Sequence, residues 1–390
     1  CPPGLEEQAL ALCGLVGIAD PPRAGVEAAI ATCHTAGIKL IMVTGDNPRT
    51  ALAIARQIGL NADKALTGPE LSRLHPAQLQ LALDAPEILF ARVAADQKMR
   101  IVEALKAKGH VVAVTGDGVN DAPALSAAHI GIAMGKSGTD VAKEAADMVL
   151  LDDHFASIVN AIEEGRAVFQ NIRKFLTYVL VHNVAELVPT LAFALFRIPL
   201  PLTPVQALAI DMGTDSLTAL GLGVERGDPA LMRRPPRARG ERLLSLAVAL
   251  RAYVFLGLFE AAAVLAAFFH VLDAGGWAYG TDLAANDPLY RQATTASFAA
   301  IVLLQIVNVF LCRSAWRSAF STGLGGNPLI LWGVAFEAGL LVLISYTAWG
   351  NALFGTAPLP LEVWLFLLPW AAGMLAIEEA RKWFVRRRSG

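Results

Sequence analysis

Three groups of residues in this 390-residue chain have types and spacings that could do chemistry. The first is Thr115-Gly116-Asp117-Gly118-Val119-Asn120-Asp121, a glycine-flanked acidic loop directly after a short β-branched run. Asp117, Asn120 and Asp121 put oxygen-rich side chains where Mg²⁺ and a phosphoryl group could sit, and the glycines permit tight turns and close approach to a ligand. The second is Thr44-Gly45-Asp46, a hydroxyl, a glycine and a carboxylate just before a helix start. A few kinds of site fit that set, and phosphate binding is one. Between them lies Lys98, whose charge beside a phosphate would supply the electrostatic part of phosphoryl transfer. An acidic turn after a strand is ordinarily just solvated, and a lone helix lysine ordinarily faces water. Two T-G-D turns with a lysine between them shift that balance.

The third group is polar residues inside apolar runs. Asn183 and Glu186 are three apart and so share a helix face, with Pro189 next, whose ring displaces the backbone bond to Ala185. Asp211, Thr214 and Asp215 stand at i, i+3 and i+4 with Gly213 among them, and Gln305 and Asn308 make another i, i+3 pair. A carboxylate at mid-bilayer costs about 2.5–3.5 kcal/mol on insertion scales. Glu186, Asp211 and Asp215 together would cost roughly 8–10 kcal/mol unless protonated, hydrated or bound to a cation. Interhelical hydrogen bonding is an alternative reading for Asn183, Thr214, Gln305 and Asn308, but a poor one for three carboxylates in adjacent spans. All these candidates are oxygen donors, which favours hard cations over copper or zinc.

The elements that must position these groups alternate. Asp20-Pro21-Pro22 reads as a helix start, and that helix runs through Val26, Ile30 and Cys33 to Gly37. A strand over 38–43 empties into Thr44, and a helix follows over 48–58. Residues 66–87 are polar and irregular and receive no assignment. A helix over 97–106, a strand ending at Thr115, a helix over 122–128, a strand over 130–134, a helix from about Ser137 and a strand over 148–151 complete the series. This order argues for a doubly wound parallel sheet, in which both T-G-D loops lie on one edge and can converge on one ligand.

Composition then divides the chain. A hydrophobic content of 55% and a mean hydropathy of +0.50 exceed one ordinary globular fold. The expected division is 1–154 for the α/β domain, 155–174 for a polar-faced stalk helix and 175–390 for a membrane domain. Six apolar segments, about 175–196, 204–223, 244–272, 293–312, 329–349 and 361–380, are near the ~20 residues that cross a bilayer. Arg226, Arg233, Arg234, Arg237, Arg239, Arg242, Arg313, Arg317 and the basic tail fall on the side of the α/β domain, which is therefore expected to be cytosolic. No basic tract suggests nucleic acid. Cys1, Cys13, Cys33 and Cys312 have no metal-finger spacing and read as reduced thiols. The start at Cys1, with no signal peptide, reads as that of a fragment.

Residues 115–125, TGDGVNDAPAL, with Thr44-Gly45-Asp46 and the stretch from Gly131 to Glu144, closely resemble the phosphorylation domain of P-type cation-pump ATPases, of the haloacid-dehalogenase-like group. The resemblance continues to the end of the chain. It implies that Asp117 is a Mg²⁺ ligand, with Asn120 and Asp121 completing the loop. It also implies that Thr44, Gly45 and Asp46 hold phosphate, and that Arg92 and Lys98 serve nucleotide and phosphoryl charge, with ATP and Mg²⁺ as cofactors. Ala95 stands where the family usually has proline. No Asp-Lys-Thr-Gly occurs, so the family's nucleophile, its actuator and nucleotide-binding domains and its first four membrane helices have no counterpart here. Such a chain is the carboxyl-terminal part of a pump and alone forms no phosphoenzyme.

Six spans resemble type II pumps of the cell membrane. Asn183, Glu186, Thr214 and Asp215 match both calcium and sodium/potassium pumps, while Asp211 and Gln305 resemble the sodium/potassium group. Asn308 departs from that group's aspartate, and His182 replaces a serine or lysine. Glu337 resembles an acid of the sodium pump's ninth helix, and Glu260 has no assignment. The expectation is an ATP-driven transporter of a hard cation such as Ca²⁺, Na⁺ or K⁺. The alternatives are a truncated non-enzymatic membrane protein, or a phosphatase-like domain fused to a secondary transporter.

Overall fold

Strands of three to five residues alternate with helices from Val26 to Leu150, as the sequence pattern requires. The computed structural model describes residues 13, 14, 16, 17, 21–238 and 240–389. Asp20, Cys1 and Arg239 lie outside the described residues. The chain divides into two compact units. One takes the chain up to Ile162 with the return segment Met232–Pro236; the other takes Glu163–Leu231 and the chain from Arg237 onward.

In the first unit the order is α1 (Val26–Thr35), β1 (Ile41–Val43), α2 (Pro48–Gln57), β2 (Ala65–Thr67), α3 (Gly68–Arg73), α4 (Pro76–Ala82), β3 (Ile88–Ala91), α5 (Ala95–Ala107), β4 (Ala113–Gly116), α6 (Ala122–Ala127), β5 (Ile130–Met134), α7 (Asp140–Glu144) and β6 (Met148–Leu150). The expected helix start at Asp20 is not where α1 begins. Pro21 and Pro22 are non-helical, and Gly25, with φ of 80°, turns the chain into Val26. The stretch left unassigned holds β2, α3 and α4, each too short to show a period in sequence. Pro48 enters α2 behind Asn47, whose side chain accepts the Arg49 N–H.

The strands form two three-stranded parallel sheets, β1-β3-β2 and β4-β5-β6, instead of the single sheet expected. The middle strand β3 is buried along its whole length, as a strand flanked on both sides should be. Ile41 and Val43 of β1, Ile88 and Phe90 of β3, and Val114 of β4 meet in one apolar cluster with Val112 and Ile101, so the two sheets share a core. The two T-G-D strands, β1 and β4, are each the outer strand of their sheet.

The helix α8 (Phe155–Leu195) runs for 41 residues without interruption and contains Pro189. Then come α9 (Pro204–Ala209), a π turn (Ile210–Thr214) and α10 (Asp215–Gly223); α11 (Leu246–Ala249), a π segment (Leu250–Gly257) and α12 (Leu258–Ala274); α13 (Pro288–Cys312), α14 (Ala319–Thr322), α15 (Pro328–Tyr346), α16 (Ala348–Phe354) and α17 (Leu361–Ser389). Among the described residues, five helices are long and apolar enough to cross a membrane: Phe155–Leu195, Leu246–Ala274, Pro288–Cys312, Pro328–Tyr346 and Leu361–Arg388. The sixth expected span, 204–223, is helical throughout, with a π turn at Ile210–Thr214, and is not among these five. Large apolar side chains such as Leu191, Phe336 and Leu365 are exposed on these helices, an arrangement that suits a lipid surround and would be unfavourable in water. This is an integral membrane protein.

The most enclosed of these helices is α13. Its Ala293, Ala296, Ala299 and Ala300 meet Val264, Ala267, Phe268 and Val271 of α12. Glycines bring α10 and α15 together, since a Cβ on Gly333 would press on Thr218 and one on Gly221 on Ile330. At the end of α13 the Leu311 carbonyl accepts from Arg251 Nη2 at 3.1 Å and Lys382 Nζ at 3.0 Å, cations placed where the helix dipole favours them. Buried Glu378 pairs with Arg251 and Arg381, each at 2.7 Å.

Candidate functional site

In the first unit the loop after β4 is built around Asp121. Its Oδ1 accepts from Lys98 Nζ at 2.6 Å, and its Oδ2 accepts the N–H groups of Gly118 at 3.1 Å and Asp117 at 3.2 Å. Lys98 reaches it from the first turns of α5. Gly116 is needed for close approach, because a Cβ there would overlap the Asp121 side chain. Gly118 has φ of −96°, which any residue adopts, so only one of the two glycines carries a steric requirement. The loop after β5 closes on the same place, with Thr139 N–H donating to Asp117 O at 2.9 Å.

Both Asp121 oxygens are used inside the loop, while Asp117 and Asn120 are exposed. Asp117 therefore presents the carboxylate available to a metal, and Asp121 shapes the loop that presents it. Mg²⁺ commonly keeps several waters and takes one or two protein carboxylates besides phosphate oxygens, so this donor set fits it. Burial pushes the Asp121 carboxyl up, but the Lys98 ammonium and the Gly118 and Asp117 N–H groups outweigh burial and hold it below its ordinary 3.8.

The Thr44 loop has its own frame. Thr44 N–H donates to Phe90 O at 2.9 Å, Thr44 Oγ1 accepts the Asp46 N–H at 3.1 Å, and Asp46 O accepts the Arg92 N–H at 3.2 Å. Gly45, Asp46 and Arg92 are exposed, and Arg92 holds a left-handed φ of 51°. Among the described residues no hydrogen bond or ion pair joins the loops at 44–46 and 116–121. The segment from the end of β3 into α5 touches both, by Arg92 on one side and by Lys98 of α5 on the other.

In the helical unit a histidine lies between two of the expected ligands. His182, 3% exposed, has Nδ1 at 2.9 Å from Asp215 Oδ2 and Nε2 at 3.2 Å from Asp211 Oδ1. Asp215 is buried and Asp211 half open, and the π turn carries Asp211 and Thr214 with Asp215 directly after it. Thr214 Oγ1 lies 3.3 Å from Asp215 Oδ1. Glu186, one turn beyond His182 on α8, has a buried Oε1 with no hydrogen-bond partner. Asn183 points away and is exposed.

Gln305 and Asn308 belong to another cluster. Gln305 Nε2 donates to both carboxylate oxygens of Glu260, at 3.0 and 2.9 Å, and Asn308 Nδ2 donates to Gln305 Oε1 at 3.1 Å. Glu337 is fully buried, and neither carboxylate oxygen has a hydrogen-bond partner. It sits on the face of α15 bearing Gly333 and Leu340, which abut Thr218 and Gly213, and so it faces the stretch of Thr214 and Asp215. The sequence marked both Glu260 and Glu337 as acids within apolar runs, with a resemblance for Glu337 and no assignment for Glu260; their partners are visible only in the structure. Among the described residues no three His, Cys, Asp or Glu side chains form a ready metal cage.

A parallel α/β unit with a phosphoryl-type acidic loop, followed by helices of membrane length with buried carboxylates, defines a membrane protein with a haloacid-dehalogenase-like domain. Comparison with known proteins agrees. Residues 3–129 and 98–162 match models of haloacid dehalogenase-like hydrolases, and residues 199–384 match that of the cation transporting ATPase C-terminus. The probable cation-transporting ATPase F of Mycobacterium tuberculosis is 41% identical over 374 residues, covering 94% of this chain and 40% of that protein. The sodium/potassium-transporting ATPase subunit alpha-B of Artemia franciscana is 37% identical over 438 residues, 98% of this chain and 43% of that one. The potassium-transporting ATPase alpha chain 2 of Oryctolagus cuniculus is 36% identical over 433 residues, 98% of this chain and 42% of that one. The chain belongs to the P-type cation-transporting ATPases and corresponds to their carboxyl-terminal part. It spans 40–43% of the length of these curated relatives.

Proposed function

We propose that the protein to which this chain belongs is a primary active transporter of a hard inorganic cation, driven by ATP through an aspartyl-phosphate. The nucleophilic aspartate lies outside this chain. Asp117 would hold Mg²⁺, which supplies charge neutralisation at the transferring phosphoryl group. Asp121 and Lys98 keep the loop in shape and add positive charge beside it, and Thr44, Gly45 and Asp46 hold phosphate oxygens while Arg92 serves the nucleotide. β1 and β4 are both open-edged and both end in T-G-D, so a further parallel strand between them would complete one sheet and deliver an acid to both loops. Through α8 the chain runs without a helix break from this unit to Glu186.

The observation that carries the transport reading is the excess of buried carboxylate. Asp215 and Glu337 are 2% and 0% exposed, and Glu186 also has a buried orphan oxygen. His182 is the one base in ion-pair contact with this group among the described residues. Carboxylates kept there at a cost of about 2.5–3.5 kcal/mol each call for a counter-cation. Na⁺, K⁺ and Ca²⁺ all suit oxygen donors, and the cell membrane, with the α/β unit cytosolic, suits the arginine distribution.

The test is cation-stimulated ATP hydrolysis by the full-length protein in vesicles. Asp117→Asn and Asp215→Asn are each expected to abolish the stimulation. Full stimulation in either variant would remove the proposal.

A further inference from the structure

Glu260 is an acid that no motif assigns, yet it is fully buried at the middle of a membrane-length helix. Its neighbours Leu258, Phe259, Ala261, Ala262, Ala263 and Val264 offer no polar atom beyond the backbone. Among the described residues no lysine, arginine or histidine pairs with it, and its hydrogen bonds come from the single nitrogen Gln305 Nε2.

A structural tie between α12 and α13 does not need this charge. The two helices already interlock through alanines, Val264 and Phe268, and a neutral amide or hydroxyl at 260 would add a hydrogen bond without the roughly 2.5–3.5 kcal/mol that a mid-bilayer carboxylate costs. The geometry of the Gln305 contact is also informative. Nε2 lies 3.0 and 2.9 Å from the two oxygens, which is the bidentate position that a cation takes on a carboxylate.

We propose that Glu260 is a ligand of the transported cation, and that Gln305 Nε2 holds the cation's place while the site is empty. This rests on the transport reading above. An entering cation displaces the amide nitrogen, and the Gln305 amide turns over to present Oε1, since nitrogen and oxygen end the same group. Asn308, which now donates to Gln305 Oε1, turns with it, so that its own oxygen leaves the weak donor Cys312 Sγ, now at 3.3 Å, and accepts the turned Gln305 Nε2. No covalent bond changes. The orphan oxygens of Glu337, on α15, which packs against the Gln305 helix α13, show a second buried acid without a hydrogen-bond partner.

The experiment titrates Na⁺, K⁺ and Ca²⁺ separately against ATP hydrolysis by the full-length protein in vesicles. Glu260→Gln is expected to raise the half-saturating concentration of the activating cation by about tenfold or more, the equivalent of 1.4 kcal/mol. Adding Asn308→Asp, which returns a carboxylate one hydrogen bond further along the chain of amides, is expected to recover most of that loss. A merely structural Glu260 would not be rescued from another helix. Melting temperature in detergent reports the fold. If Glu260→Gln loses its melting transition, Glu260→Asp, which keeps the charge but shortens its reach, is expected to show the same rise. Unaltered half-saturation in the folded variant, or a rise without rescue, would overturn the proposal while leaving the transport reading standing. Absence of cation stimulation in the unsubstituted protein would bring down that reading and this proposal with it.

Discussion

Lys98 and Asp121 illustrate what one residue pair does in the phosphoryl loop. Their contact is partly shielded, with side chains 22% and 13% exposed, and such a charge-assisted bond contributes about 1–2 kcal/mol. Lys98→Met is therefore expected to speed hydrogen exchange of the 116–121 amides by about tenfold, and unchanged protection would contradict this. The pH dependence has a definite sign. Asp121 has a folded pKa below its ordinary 3.8, so its contribution is present above that value and is lost as pH falls through the folded pKa. Both residues stood out in the sequence because each follows a strand end or begins a helix. Their division of labour with Asp117 did not, since only the hydrogen bonds reveal which carboxylate is already occupied. The partners of His182 were equally hidden, because Asp211 is 29 positions away on another element, and Gln305 is 45 from Glu260.

At the scale of elements, local pattern and tertiary contact account for different parts. Strands ending in T-G-D, and the long apolar helices, were legible because period and length are local properties. β2, α3 and α4 were not, because a three-residue strand and helices of six and seven residues present no face long enough to show a period. The π segments Ile210–Thr214 and Leu250–Gly257 also escaped, since their wider turn answers to neighbouring helices. Gly257 shows one such demand: a Cβ there would stand 2.8 Å from Val184 Cβ on α8 and 2.7 Å from Ala252 O. Gly257→Val is expected to force these helices apart at a cost of about 1–3 kcal/mol, lowering the melting temperature in detergent by several degrees. An unchanged melting temperature would show that the contact relaxes freely.

At the scale of the whole molecule, the proposed function depends on α8, a single helix of 41 residues from Phe155 to Leu195. The division into an α/β part and a membrane part could be read from composition, because lipid and water select opposite surfaces. The single sheet expected from the strand order could not be checked by order alone; two sheets with open T-G-D edges are what the described residues form. The central claim is that cation movement is driven by ATP and not by another ion's gradient. The measurement that tests it most directly is cation uptake into sealed inside-out vesicles bearing the full-length protein, with ion gradients collapsed by ionophores. The account predicts uptake that requires ATP and Mg²⁺ and disappears in Asp117→Asn. Uptake that ignores ATP and follows an imposed ion gradient, or that survives in Asp117→Asn, would contradict it.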